Sequence, residues 1–174
     1  MNINVIEFDA DDTLWINEPY FQETENKFCA LPEDYLPRHA LATELFKTEI
    51  QNLQLYGYGI KGFMLSMIET ALRISNNTLS MEVLEKVIEF GKELLEKPIE
   101  ILDGVEKVLK TLKGKYRLMV ATKSDLPDQE RKLKNLGLEH HFHHTEIMSD
   151  VMPVLAIGGH PVISPTTPHG RMSR

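Results

Sequence analysis

The apolar positions of the chain fall into three textures. Ile3, Val5, Ile6 and Phe8 form a short apolar strand that runs directly into acidic residues. From about 17 to 97 the apolar residues recur with a helical period and there is little strand signal. Glu18 to Ala30 carries Tyr20, Phe21 and Phe28; Leu41, Leu45, Ile50 and Leu53 suit one face of a second helix. Phe63, Met64, Met67, Ile68, Ala71 and Leu72 suit a third. Ser80 N-caps a fourth, whose stripe is Val83, Leu84, Val87, Ile88, Leu94 and Leu95 and which Pro98 stops. After Pro98 helices and strands alternate: a helix over about 103–113 ended by Gly114, a strand Tyr116–Ala121, a helix Pro127–Asn135 ending near Gly137, and a short strand Thr145–Met148. Val151–Ile157 reads as a helix closed by Gly158 and Gly159, with a last strand at Pro161–Ile163; residues 164–174 have no periodicity and read as an irregular tail.

Helices between successive strands imply parallel pairing, because a parallel strand is reached by a crossover. The fold class is therefore α/β, a doubly wound, mostly parallel, Rossmann-like sheet with an all-helical insert after its first strand. The boundaries are 1–16 and 98–163 for the core and 17–97 for the helical insert. An insert at that point sits over the carboxyl ends of the strands, where it can act as a lid.

Composition narrows the setting. Of 174 residues, 42% are apolar and 26% charged, as in soluble globular proteins. A net charge of −7 argues against a nucleic-acid or anionic-membrane surface. Cys29 is the only cysteine, so no internal disulfide forms and a reducing compartment is expected. No apolar run approaches the roughly 18–20 residues of a bilayer span, and the chain starts with a strand rather than a basic leader, so the expected location is cytoplasmic. The methionines and aromatics of the insert are most simply core filler.

The candidate chemistry lies at the end of the first strand. Asp9, Asp11 and Asp12, followed by Thr13, concentrate like charges whose repulsion a hard divalent cation with oxygen ligands would offset. Asp9 and Asp11 stand two apart where strand gives way to loop, so both side chains can lean toward one point beyond the carboxyl end of the strand, where open α/β sheets place ligands. Two carboxylates there can divide labour, one as nucleophile and one as acid.

The run Phe8-Asp9-Ala10-Asp11-Asp12-Thr13-Leu14, the helical insert behind it, and Val120-Ala121-Thr122-Lys123 closing a core strand resemble the haloacid dehalogenase-like (HAD) hydrolase superfamily. The resemblance implies that Asp9 is a nucleophile forming an aspartyl-phosphate and that Asp11 is the general acid for the leaving alcohol and later the base for water. It implies Mg²⁺ held by the Asp9 carboxylate and the Asp11 backbone carbonyl. Thr122 would bind a phosphate oxygen, Thr13 would brace the loop, and Asp12 would point outward. Dehalogenation has no leaving alcohol to protonate, so Asp11 favours a phosphatase. The expected function is a Mg²⁺-dependent phosphatase acting on a small phosphorylated metabolite; the alternative is a catalytically impaired binding or regulatory relative.

The pattern departs from the family after Thr122. A lysine after the third strand and an acidic motif after the fourth are expected, yet Asp150 follows Thr122 after 150 − 122 = 28 residues, room for one helix and one strand only. The chain reads as two segments joined near Asp150–Val151, with a lysine, a helix and a strand absent between them. A true deletion, residues left out at that point, and a misplacement of the elements remain open as causes. Asp150 is a candidate metal ligand, and Lys123 is the nearest substitute for the lysine. His140, His141, His143 and His144 read as an exposed loop, because adjacent side chains diverge. Tyr56, Tyr58 and Lys61 flank a turn between insert helices and are candidates for setting specificity; Lys132 and Lys134 read as solvated helix charges. The sequence does not fix the oligomeric state or the substrate.

Overall fold

A computed structural model of the protein describes residues 3–31 and 37–147. The junction near Asp150–Val151, the helix and strand expected after it, and the tail lie outside the described residues. The chain divides into two compact units, one formed by its two ends, up to Ile16 and from Ile99 onward, the other by Asn17–Pro98.

The first unit is an α/β layer. It holds β1 (Val5–Phe8), then, after the inserted unit, α1 (Val105–Leu112), β2 (Arg117–Thr122), α2 (Leu126–Asn135), a short 3-10 turn (Glu139–His141) and β3 (His144–Ile147). The described strands form one sheet in the order β1-β2-β3, both pairings parallel. Phe8 lies level with Val120, so the chain leaves β1 two residues before β2 ends at Thr122. Both strands open onto the same carboxyl edge. Leu118 and Val120 are fully buried and pack with Ala10, Leu14, Trp15, Leu109 and Leu133.

The loop after β1 belongs to this core rather than to the solvent. Leu14 N–H donates to Ala10 O at 2.8 Å and Asp12 N–H to Trp15 O at 2.8 Å, folding the loop back on itself. Asp12 takes the left-handed backbone (φ 56) that this tight return requires, a conformation aspartate tolerates better than most residues. Trp15 then bridges antiparallel to Ile101, and Ile16 N–H donates to Glu100 O at 2.9 Å, so the strand ahead of α1 pins the loop in place.

The second unit is all helical. Its helices are α3 (Glu18–Ala30), α4 (Arg38–Tyr56), α5 (Ile60–Ile74) and α6 (Met81–Glu96), packed on Phe21, Phe28, Leu41, Leu45, Phe63, Met67, Ala71 and Val87. Ser80 caps α6 as the sequence predicts, its hydroxyl accepting from Val83 N–H at 3.3 Å. On α4 the buried stripe is Leu41, Leu45 and Thr48, and Ile50 is exposed. Ile50 stands nine residues after Leu41, half a turn round the helix from it, so the two cannot share a face. Val108 on α1 is exposed too, Val105 and Leu109 taking the inward positions.

The four-histidine loop is not uniformly exposed. His143 N–H donates to Leu118 O at 2.8 Å, and its ring Nδ1 accepts from Leu118 N–H at 3.3 Å, which ties the loop to β2. His141 is buried with no hydrogen-bond partner for Nδ1. Burial first, then the charges of His140, Lys113 and Lys110, hold its pKa below the usual histidine value of 6.5, against an opposing pull from Glu106.

Two outcomes follow. His141 binds its proton more weakly folded than unfolded, so its contribution to stability is complete above pH 6.5 and is lost as pH falls from there through the lower folded value. Urea midpoints measured at successive pH values below 6.5 should therefore drop less in His141→Phe than in the wild type; equal drops would refute the burial argument. A Cβ at Gly91 would lie 2.5 Å from Met64 Sδ and 2.9 Å from its Cγ, where α5 and α6 approach closely. Alanine in place of a helical glycine normally gains about 1 kcal/mol. Here that gain is offset, and Gly91→Val should cost about 1–3 kcal/mol in urea unfolding through overpacking. A full propensity gain in Gly91→Ala would contradict this close approach.

Candidate active site

The carboxyl edge of β1 and β2 brings four of the sequence candidates together. Asp9 is the first residue after β1, exposed, with its Oδ1 accepting from Ala10 N–H at 2.9 Å. Partial desolvation pushes its pKa above the ordinary value of 3.8, and the charges of Asp11 and Asp12 add to the rise. The Ala10 N–H and the Lys123 cation pull the other way. Lys123 itself is exposed, one residue beyond β2.

Asp11 sits differently. Its side chain is 11% exposed, and three nitrogen donors converge on it. Trp15 Nε1 donates to Oδ1 at 2.8 Å, Gln129 Nε2 to Oδ2 at 2.8 Å, and Lys132 Nζ to Oδ1 at 3.1 Å. A carboxylate without a proton can accept all three. Lys132 is buried, not solvated as the sequence suggests; its side chain is 9% exposed and Nζ also lies 3.3 Å from Asp128 Oδ2. The same ammonium stands 5.8 Å from the centre of the Trp15 ring, within reach of a cation–π attraction. Burying an ammonium is costly unless it is paired, and two carboxylates supply the pairing.

The helical geometry explains why these groups meet. Gln129 and Lys132 are three apart on α2, hence on one face, and Asp128 and Lys132 are four apart. Of the ten residues of α2 only Leu126, Pro127 and Leu133 are apolar, too few to cover a full inward face, and polar side chains complete it. That shortage, opposite an acidic strand end, is the signal in the sequence that points to Gln129 and Lys132. Trp15 offers a weaker one, as the only tryptophan, four residues past Asp11.

Thr122 ends β2 and is buried, its Oγ1 accepting from Ser124 N–H at 3.1 Å. That leaves its O–H to be donated toward a ligand oxygen. Asp12 and Thr13 are exposed, and Thr13 N–H donates to Ala10 O at 3.3 Å within the loop. Tyr56, Tyr58 and Lys61 lie in the helical unit, where the Tyr56 hydroxyl donates to Glu69 Oε1 at 2.6 Å. That bond holds the phenol pKa up and the Glu69 carboxyl down. Asp150 lies outside the described residues.

The residues suit a hard cation in part. The exposed Asp9 carboxylate, disfavoured as an anion by Asp11 and Asp12, is an oxygen donor that a cation would relieve. The Asp11 side chain is a poorer donor, because Oδ1 already accepts two nitrogen donors and Oδ2 one, and the Lys132 ammonium stands beside it. Among the described residues no three His, Cys, Asp or Glu side chains form a metal-holding group. Nor is any helix among them long and apolar enough to cross a membrane.

Known proteins agree with this architecture. A family model for haloacid dehalogenase-like hydrolases matches residues 3–162. A haloacid dehalogenase-like family hydrolase from Xanthomonas campestris is 35% identical, with a TM-score of 0.77 over 84% of this chain and 62% of its own. A predicted phosphoglycolate phosphatase from Haemophilus somnus is 20% identical with a TM-score of 0.51, covering 83% of this chain and 62% of its own. A putative HAD-hydrolase from Bacillus subtilis, solved bound to magnesium, is 14% identical with a TM-score of 0.50, covering 84% of this chain and 66% of its own. The last two show likeness of fold alone. No protein with a curated description matches the sequence. The chain spans 62% of the length of its Xanthomonas relative. The matched family model, running from β1 through the described core, and the 35% identity together place the chain in the haloacid dehalogenase-like hydrolase family.

Proposed function

We propose that the protein is a phosphatase that hydrolyses a small phosphorylated metabolite through an aspartyl-phosphate on Asp9. The observation that carries this reading is the unequal treatment of two neighbouring carboxylates: Asp9 open at the sheet edge, Asp11 enclosed by donors. Two titratable groups in environments that differ this much are how one site runs nucleophilic and acid–base chemistry together.

In the first step an Asp9 oxygen attacks phosphorus, the bond from phosphorus to the leaving oxygen breaks, and Asp11 passes a proton to that oxygen. In the second, water attacks the same phosphorus, Asp11 takes its proton, and the bond from phosphorus to Asp9 breaks. The Thr122 hydroxyl and the Lys123 ammonium are the candidates to hold the phosphoryl oxygens. The Asp9 carboxylate and the Asp11 backbone carbonyl would hold Mg²⁺, which would supply charge neutralisation for the phosphoryl group. Asp150 is a candidate to complete that metal site. Tyr56, Tyr58 and Lys61 are candidates for recognising the rest of the substrate.

A second reading is a relative that binds phosphorylated ligands without turning them over. It is favoured by the sequence, in which Asp150 follows Thr122 after 150 − 122 = 28 residues without the lysine expected after the third strand. Hydrolysis of p-nitrophenyl phosphate separates the two. The enzyme reading expects Mg²⁺-dependent release of p-nitrophenol that Asp9→Asn abolishes and that Asp11→Asn lowers by roughly 10²–10⁴-fold, the usual worth of a positioned acid–base group. Release of nothing by the wild type, or release that Asp9→Asn leaves untouched, defeats it.

A linked outcome concerns stability. The folded pKa of Asp9 is raised, so its ionised form is disfavoured by folding. The cost is present at neutral pH and fades as pH falls through the raised folded value toward the ordinary 3.8. Without Mg²⁺, Asp9→Asn should unfold at a higher temperature than the wild type at neutral pH, with the difference closing toward pH 3.8. Added Mg²⁺ should then raise the melting temperature of the wild type and not of the variant. A variant that is less stable than the wild type at neutral pH contradicts the assignment.

A further inference from the structure

We propose that Lys132 and Gln129 are positioning residues that act through Asp11: with Trp15 they clamp its carboxylate in one orientation, with a buried ammonium beside it that disfavours a metal ion there. The inference rests on the phosphatase reading for the chemistry, but the clamp itself is a property of the ground state and is measurable without turnover.

The geometry is specific. Asp11 Oδ1 accepts from both Trp15 and Lys132 and Oδ2 from Gln129, which leaves one acceptor site on Oδ2. The three donors come from two places in the chain, four residues downstream on the loop and about a hundred and twenty downstream on α2, so no local turn could assemble them. Gln129 has no exposed surface, and its Oε1 has no hydrogen-bond partner. A buried amide that leaves one atom unsatisfied to place the other on Asp11 gives up a hydrogen bond for that contact. The Lys132 ammonium lies against the same oxygen as the indole, with Asp128 behind it. A divalent cation coordinated by the Asp11 side chain would have to sit beside a buried positive charge. The arrangement therefore favours the Asp9 carboxylate over the Asp11 side chain for the cation.

The clamp carries its own reporter. Trp15 is the only tryptophan in the chain, its Nε1–H bonds Asp11, and its ring faces the Lys132 ammonium. Intrinsic fluorescence of the whole protein thus reads the clamp directly.

The experiment compares wild type, Lys132→Met, Lys132→Arg, Gln129→Met, Asp11→Asn and Asp11→Asn/Lys132→Met. With p-nitrophenyl phosphate and Mg²⁺, Lys132→Met should lower kcat by about tenfold or more with KM within about threefold, the mark of an interaction felt in the transition state. Lys132→Arg, which keeps the charge and can reach the same oxygen, should recover most of the loss. The double variant should be no slower than Asp11→Asn alone, because a residue acting through Asp11 has nothing left to act on. Tryptophan emission should shift in Lys132→Met and in Asp11→Asn, and the two shifts should not add. If Lys132→Met does not fold, the near-isosteric Gln129→Met and the Lys132→Arg rescue carry the same comparison. Additive effects of the two substitutions, in rate or in emission, overturn the proposal, as does a folded Lys132→Met with wild-type kcat. A wild type without phosphatase activity defeats the functional reading alone, and the fluorescence comparison still decides whether the clamp exists.

Discussion

The carboxylate of Asp11 is enclosed in the core side of a sheet edge, and much of the surrounding structure answers to that one charge. A buried carboxylate left unpaired would give up several kcal/mol of hydration, and removing one partner of a buried pair typically costs about 3–5 kcal/mol. The chain meets the demand with three nitrogens, from Trp15, Gln129 and Lys132. Meeting it forces the loop after β1 to curl back until the indole reaches the carboxylate. It also fixes the roll of α2, since only one face of that helix carries both Gln129 and Lys132. Lys132 in turn needs a second anion, and Asp128 one turn back provides it.

Asp9, two residues earlier on the same strand exit, obeys the opposite logic. Its residue surface is exposed, it holds one backbone N–H, and its ionised form is disfavoured by partial desolvation first and then by the negative charges beside it. The strand alternation produces this difference. Successive residues leave β1 on alternate sides, Ala10 turns into the core, and the loop return then carries Asp11 inward while Asp12, in a left-handed conformation, turns out. Three acids in four positions thus end in three environments: an open nucleophile candidate, an enclosed carboxylate and a solvated turn residue.

The fold was legible in the chain because its signals are periodic. The strand-then-helix alternation after Pro98, the Ser80 cap and the apolar stripes of Phe63–Met67–Ala71 each state a local geometry, and tertiary packing agrees with it. Asp9, Asp11 and Thr122 were legible as candidates because charge or hydroxyl at a strand end has few purely structural uses. Lys132 was not. On a helical wheel a lysine on a polar helix is a solvated charge by default, and what overrides the default is a counter-charge 121 residues away in sequence. His141 was missed for a similar reason: a histidine run reads as loop, while the single buried ring depends on how the 3-10 turn packs near α1. Local pattern fixes which residues face inward on an element. It does not say which polar group a distant element will bring to meet them.

This distinction bears on the departure from the family pattern near Asp150 in the sequence. Every atom of the Asp11 clamp lies between residues 11 and 132, upstream of that junction. Asp9, Thr122 and the parallel pairing of β1 with β2 lie upstream of it too. The placement of Asp9, Asp11 and Thr122 is therefore assembled by contacts that do not pass through the junction. The half that would hold a metal is not, because Asp9 is its one well-placed side-chain donor among the described residues and the Asp11 carboxylate has the Lys132 ammonium beside it. Any difference between this chain and its longer relatives should consequently fall on metal affinity before it falls on the placement of Asp9 and Asp11.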